Sequence, residues 1–160
     1  MGSDSRYNYA AGTSGKTVVA RLKPKTDLIG GLIEICKENS IRCGAIVCGL
    51  GTLDGAVVLT AAPAPGTKSG VGYSEPIIVK GMIEFICGQG IIMEKEGDLF
   101  IHFHGLFMDE DGKFYGGHFN PGGNPVLSTI DVVITEAVGV KALRMLDKDL
   151  DLEVMFPQKC

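Results

Sequence analysis

No stretch of this sequence approaches the ~18 uninterrupted apolar residues that a membrane-spanning helix requires, so no membrane partner is expected. Its opening residues, MGSDSRYNYAAGTSGK, lack an apolar run flanked by basic residues, which argues against a secretory signal. Residues 1–15 read as a disordered lead-in. The five cysteines (Cys36, Cys43, Cys48, Cys87 and Cys160) are odd in number and contain no Cys-x-x-Cys pair. Buried or free thiols in a reducing cytoplasm fit that usage better than a disulfide framework. Basic charge is also scarce. Net charge is −4, the close basic grouping is Arg21, Lys23 and Lys25, and no Arg-Gly-Arg-Pro hook for the minor groove is present. Most nucleic-acid affinity comes from neutralising phosphates, so this composition disfavours a domain that grips DNA alone.

What is present is one globular domain. The 160 residues are 45% hydrophobic and 21% charged, and 23 glycines favour tight turns and short strands. Residues 18–22 read as a first strand. Thr26 or Asp27 can then cap a helix to about Asn39, with Leu28, Ile29, Leu32, Ile33, Ile35 and Cys36 on its apolar face. Gly30 and Gly31 weaken that helix by up to ~1 kcal/mol each relative to Ala, so close packing against a sheet is the expected compensation.

Strands follow at 43–50 and 56–61, with a glycine-rich turn or bulge at 49–55 between them. A Pro/Gly/Ser loop covers 63–72, and strands cover 77–87 and 90–94 with Gly88 between them. A hairpin of 99–108 and 114–119, a second Gly/Pro loop at 120–125, and strands at 126–137 and 140–146 complete the domain. The pattern predicts an α+β fold: a largely antiparallel β-sheet with one main covering helix over 16–156, and a tail at 157–160.

All three histidines of the chain lie in IHFHGLFMDEDGKFYGGHF, residues 101–119. Strand residues two apart share a face, so His102 and His104 point the same way. If the loop 109–113 is centred on Asp111, His118 falls opposite His104 on that face. Three imidazoles on one patch are the ligand set of an open zinc site with a fourth position for water or substrate. A two-residue turn at Asp111-Gly112 would instead put His118 on the other face unless a bulge at Gly116-Gly117 restored it. Ordinary polar residues on a half-exposed sheet are the alternative. Asp109, Glu110 and Asp111 read as a solvated turn.

These same residues carry a family resemblance. The His-x-His, acidic-Gly turn and Gly-Gly-His run resembles the signature of the plants-and-prokaryotes conserved domain (PPC, or PCC). The strand ending in a Gly-x-Gly turn within 40–55, Gly81-Met82-Ile83-Glu84-Phe85, and Arg144-Met145-Leu146-Asp147 fit the same pattern, so the resemblance spans 16–155. It implies an α+β homotrimer of the stand-alone prokaryotic type, whose members are often labelled predicted DNA-binding proteins. It also implies a fold resembling acetolactate decarboxylase, a zinc enzyme with a comparable histidine set. Should the chain act on a small molecule at its metal, Glu84 is the candidate general acid/base and Arg144 the candidate anion clamp. Glu84 could also orient a ligating histidine, and Arg144 with Asp147 could form a structural ion pair.

Overall fold

A computed structural model describes residues 6–160. Ten strands and one helix follow in the order β1 (Thr13–Leu22), α1 (Leu28–Glu38), β2 (Gly44–Leu59), β3 (Ala61–Pro63), β4 (Val71–Tyr73), β5 (Ile77–Lys95), β6 (Asp98–Met108), β7 (Phe114–Phe119), β8 (Val126–Val138), β9 (Val140–Asp147) and β10 (Leu152–Lys159). Eight strands form a single sheet in the order β1-β8-β2-β7-β6-β5-β9-β10, and β2 also pairs with β5. Strands β2, β7, β6 and β5 therefore close on one another. Pairing between named strands is antiparallel except for β5 with β9. Among the described residues no helix is long and apolar enough to cross a membrane.

The helix begins where the sequence signals it. Asp27 is extended (φ −67°, ψ 132°), and its carboxylate accepts from the Gly30 amide at 2.9 Å. Leu28, Ile29, Leu32 and Cys36 are fully buried under it. A Cβ on Gly31 would lie 2.7 Å from Thr26 Cγ2 and 2.9 Å from Leu22 Cδ2. The helix approaches the end of β1 too closely for a side chain at Gly31, which is the compensation for that poor helix former.

Several boundaries differ from the sequence expectation. The strands expected at 43–50 and 56–61 are one strand, β2, with register shifts at Ile46/Cys48, Gly51/Leu53 and Asp54/Ala56. The glycine-rich 49–55 is thus a bulged strand, with Gly51 at φ +147° and Gly55 at φ +84°. Likewise 77–87 and 90–94 join through Gly88 into β5. The 63–72 loop is the tip of a β3–β4 hairpin, tied down by Ser69 N–H donating to Leu150 O at 3.0 Å. Of the expected lead-in, 1–5 lie outside the described residues and β1 is already formed at Thr13. At the other end 157–159 pair with β9, because β10 is an edge strand and can hold Pro157 without losing an interior ladder bond.

The core beneath β6 is aromatic. Phe85, Phe103, Phe107 and Phe119 are fully buried, with ring centroids 5.6–6.2 Å apart in the Phe85–Phe103, Phe85–Phe119, Phe103–Phe119 and Phe107–Phe119 pairs. Strand alternation then sends His102, His104 and Leu106 of β6, and Phe114, Gly116 and His118 of β7, to the opposite face.

Candidate metal centre

The hairpin loop 109–113 fixes the site. Asp109 N–H donates to Lys113 O and Gly112 N–H to Asp109 O, both at 3.0 Å, while Asp109 Oδ1 accepts from the Asp111 and Lys113 amides. Met108 therefore faces Phe114, and His104 faces His118. This is the five-residue register centred on Asp111. The two-residue turn, with its shifted register, does not form.

His102, His104 and His118 converge. Their ring centroids are 4.9, 5.0 and 5.3 Å apart, and one ligand nitrogen from each lies within 4.8 Å of the others. His102 Nε2 and His104 Nε2 are 3.0 Å apart. Two nitrogens each ~2.0–2.1 Å from one tetrahedral ion sit about 3.3 Å apart, so this pair is already at ligand spacing. The widest pair has to close by roughly 1–1.5 Å, which small ring rotations can supply.

The third histidine carries the most informative atom. His118 is 4% exposed, and its Nε2 meets Asn120 Oδ1 at 3.1 Å. An amide oxygen only accepts, so Nε2 carries the proton and Nδ1 presents a lone pair. Nδ1 is buried with no hydrogen-bond partner. Leaving a buried acceptor unpaired costs ~1–3 kcal/mol. A cation held at the triad through Nδ1 would satisfy it, and the Asn120 bond would then do what a carbonyl usually does behind a metal-bound imidazole, fixing tautomer and ring angle. The residues thus fit a metal of the zinc, copper or nickel class, which imidazole nitrogens suit.

Asn120 is itself braced. Fully buried Asn124 accepts from Val57 N–H at 2.9 Å and donates to Asn120 O at 3.1 Å and Gly122 O at 3.3 Å, which pins the 120–124 loop to β2. Tyr73 of β4 packs against His118, ring centroids 5.5 Å apart. Sequence reasoning missed Asn120, Asn124 and Tyr73. Only the two-residue spacing of Asn120 from His118 was visible, and that spacing does not fix a side-chain contact.

Glu84 and Arg144 are not part of the cluster. Glu84 is exposed on β5 opposite Met108, four residues along β6 from His104, roughly 13 Å at strand rise. Arg144 is 9% exposed, with its guanidinium 4.7 Å above the Phe100 ring and its Nε 3.5 Å from Glu153 Oε2. Its ion partner is therefore Glu153 of β10. Asp147 instead accepts from the Asp149 and Leu150 amides at the β9–β10 turn. Arg144 still acts on the triad through its field. Burial, then His118, His104 and Arg144, pushes His102 from 6.5 down to about 4. Burial likewise lowers His118, against the opposing Asn120 hydrogen bond.

Depressed imidazoles resist protonation in the folded state and accept protons once unfolded. The metal-free protein is expected to hold its full stability above about pH 6.5 and to lose it progressively as pH falls toward 4. Urea midpoints at pH 7, 5.5 and 4.5 check this. A His102→Leu variant should show a shallower decline, and a midpoint unchanged across the range in the parent protein contradicts the assignment.

A sheet domain with one helix and an open cluster of three imidazoles defines the class. Residues 9–138 match the Plants and Prokaryotes Conserved (PCC) domain, and the chain belongs to that family. Solved structures agree on the fold. A metal-containing protein from Archaeoglobus fulgidus is 24% identical, with a TM-score of 0.77 over 90% of this chain and 95% of that one. A plant- and prokaryote-conserved protein from Pyrococcus horikoshii is 25% identical, with a TM-score of 0.73 over 92% and 97%. A candidate DNA-binding protein from Ralstonia eutropha JMP134 is 19% identical, with a TM-score of 0.68 over 86% and 88%. Comparison with functionally curated proteins gives no match.

Proposed function

We propose that His102, His104 and His118 hold one divalent transition-metal ion, zinc by donor type, in a PCC-family protein that assembles as a homotrimer. The observation carrying the metal is the buried, unpartnered Nδ1 of His118, on a ring whose centroid lies 5.0 and 5.3 Å from those of His102 and His104, whose Nε2 atoms are already 3.0 Å apart. Assembly is supported by large apolar side chains exposed on the sheet, among them Ile78 (64%), Met82 (60%) and Phe114 (59%). A DNA-associated role is suggested by the DNA-binding name of the Ralstonia relative. With a net charge of −4, this chain would associate with DNA through its assembly or a partner, not through a basic face of its own.

A second reading, a metal-dependent enzyme acting on a small molecule, is favoured by a cavity of about 350 Å³ that opens on the three histidines. The expected fold resemblance to acetolactate decarboxylase belongs with this reading. Zinc with an open position supplies Lewis acidity, polarising a carbonyl or acidifying water. On this reading the chain's residues divide the work: Asn120 holds the His118 proton at Nε2, and Tyr73 shields the ring from solvent. Arg144 adds positive charge beside the site, while Glu84 lies too far along the sheet to reach it within one chain.

Elemental analysis of untagged protein tests the metal: about one zinc-class ion per chain is expected, and none in His102→Ala. Light scattering should give three times the 16.9 kDa chain mass. Retention on duplex DNA at roughly 100 mM salt, absent from the pure protein, would indicate that any DNA role needs a partner. A protein that neither carries metal nor takes it up on titration overturns the reading.

A further inference from the structure

The triad does not open directly onto solvent on every side. The β3–β4 hairpin, the end of β2 and the start of β10 build a cavity of about 350 Å³ against it, walled by Leu59, Val71, Tyr73 and Leu152 with the histidines at its polar end. No Asp, Glu, Lys or Arg lines this cavity, nor the shallower one on the other side of His102 and His104 near Gln89 and Ile91. Three neutral imidazoles leave a divalent ion with its full charge. The formal charge that acts on His102 and His118 is the cation of Arg144, whose Glu153 partner is shared with Lys95. The site therefore has an uncompensated positive end and an apolar body, and nothing in the described residues supplies the anion.

We infer that this cavity binds a small monocarboxylate with an apolar tail, its carboxylate at the histidine end and its tail against Leu59, Tyr73 and Leu152. The inference rests on the metal reading above. Two features select this class. A carboxylate head neutralises the open end, as a hard anionic donor suited to a charged, open coordination position. The walls offer almost no hydrogen-bonding groups beyond Thr60 and Tyr73, so a tail rich in hydroxyls or amines would lose its water without recompense. The volume is near the low end for small-molecule sites, which fits a short chain or one ring. Leu152 makes this pocket depend on β10, which lies beyond the residues that match the family. Tail length is therefore read by a part of the fold separate from the histidine hairpin.

The test uses full-length protein loaded with cobalt(II) in place of zinc, whose visible absorption reports the coordination shell directly. Acetate, butyrate and hexanoate are titrated, with hexanol as the tail-only control. Metal content is measured on the same samples. Hexanoate is expected to perturb the cobalt spectrum at concentrations one to two orders of magnitude below acetate, since each buried methylene is worth up to about fourfold. Hexanol should leave the spectrum unchanged. Leu152→Ser, at a partly exposed position, should keep acetate affinity and flatten the dependence on tail length. Equal affinity for acetate and hexanoate in metal-loaded protein overturns the inference and leaves the metal reading intact, the anion then sitting on an open ion only. Binding of hexanol as tight as hexanoate overturns the carboxylate head. Failure to load cobalt or zinc at all overturns the metal reading, and the inference with it.

Discussion

Replacing His118 with leucine is expected to abolish metal uptake while leaving the metal-free protein as stable as the parent or more so. The two effects have one cause. In the metal-free protein His118 is 4% exposed and its Nδ1 has no partner, a penalty of ~1–3 kcal/mol that leucine removes with little change of volume. Asn120 Oδ1, the bond lost at Nε2, is on an exposed residue and can turn to water. With metal in excess the order inverts. An ion at about a thousandfold over its dissociation constant adds ~4 kcal/mol to the parent protein and nothing to the variant. For a domain of this size that is roughly 10 °C or a little more in Tm. Thermal melts of both proteins with chelator and with zinc check this. A variant clearly less stable than the metal-free parent would mean that His118 is a packing residue whose nitrogen is satisfied in solution. A parent protein that zinc does not stabilise would remove the reason for the unpaired atom.

The second large effect is expected at Gly105, immediately after His104. A Cβ there would lie 2.6 Å from Phe85 Cε2, 2.9 Å from Phe85 Cζ and 3.0 Å from Phe119 Cε2. Both rings are fully buried among other rings, so neither can swing into free space. Gly105→Ala should therefore cost ~1–3 kcal/mol by overpacking, more if β6 is displaced. Because His104 rides on the same backbone, the strain should also loosen the metal site. Gly88 faces the same cluster from β5, where a Cβ would lie 2.4 Å from Phe103 Cζ. By contrast, a Cβ on Gly112 of the hairpin loop meets nothing within 4 Å. Gly112 is at φ +78°, so alanine there is strained by backbone alone and should disturb the core far less. Denaturant midpoints for the three alanine variants give the comparison. A Gly105→Ala midpoint equal to the parent would show that the phenylalanine cluster repacks freely.

Glycine thus serves two purposes that sequence alone cannot separate. At 49–55 the glycines read as a turn or bulge between two strands and Gly88 as a break between two others, and both segments lie inside continuous strands. In β2 they absorb bulges, and in β5 Gly88 leaves room for phenylalanine rings arriving from elsewhere in the chain. Whether a glycine ends a strand or makes space within it depends on what packs over it, which is a non-local fact.

The sequence by itself narrowed the local geometry to a cap at Thr26 or Asp27, the apolar face of α1, and two registers for the hairpin after Met108, one of which sets His104 opposite His118. These follow from hydrogen bonds and alternation spanning fewer than about twenty residues, where spacing dictates direction. Tertiary structure alone decided the rest. His118 Nε2 finds Asn120 because Asn124 pins the loop carrying it to β2, 67 residues away in the chain, while Nδ1 is left without a partner. Tyr73 and Leu152 reach the same cavity from a hairpin and an edge strand 79 residues apart in sequence, and Arg144 pairs with Glu153 across that edge rather than with Asp147. Those outcomes depend on which strand lies beside which, and that order is set by burying one shared aromatic core, a property no local spacing encodes.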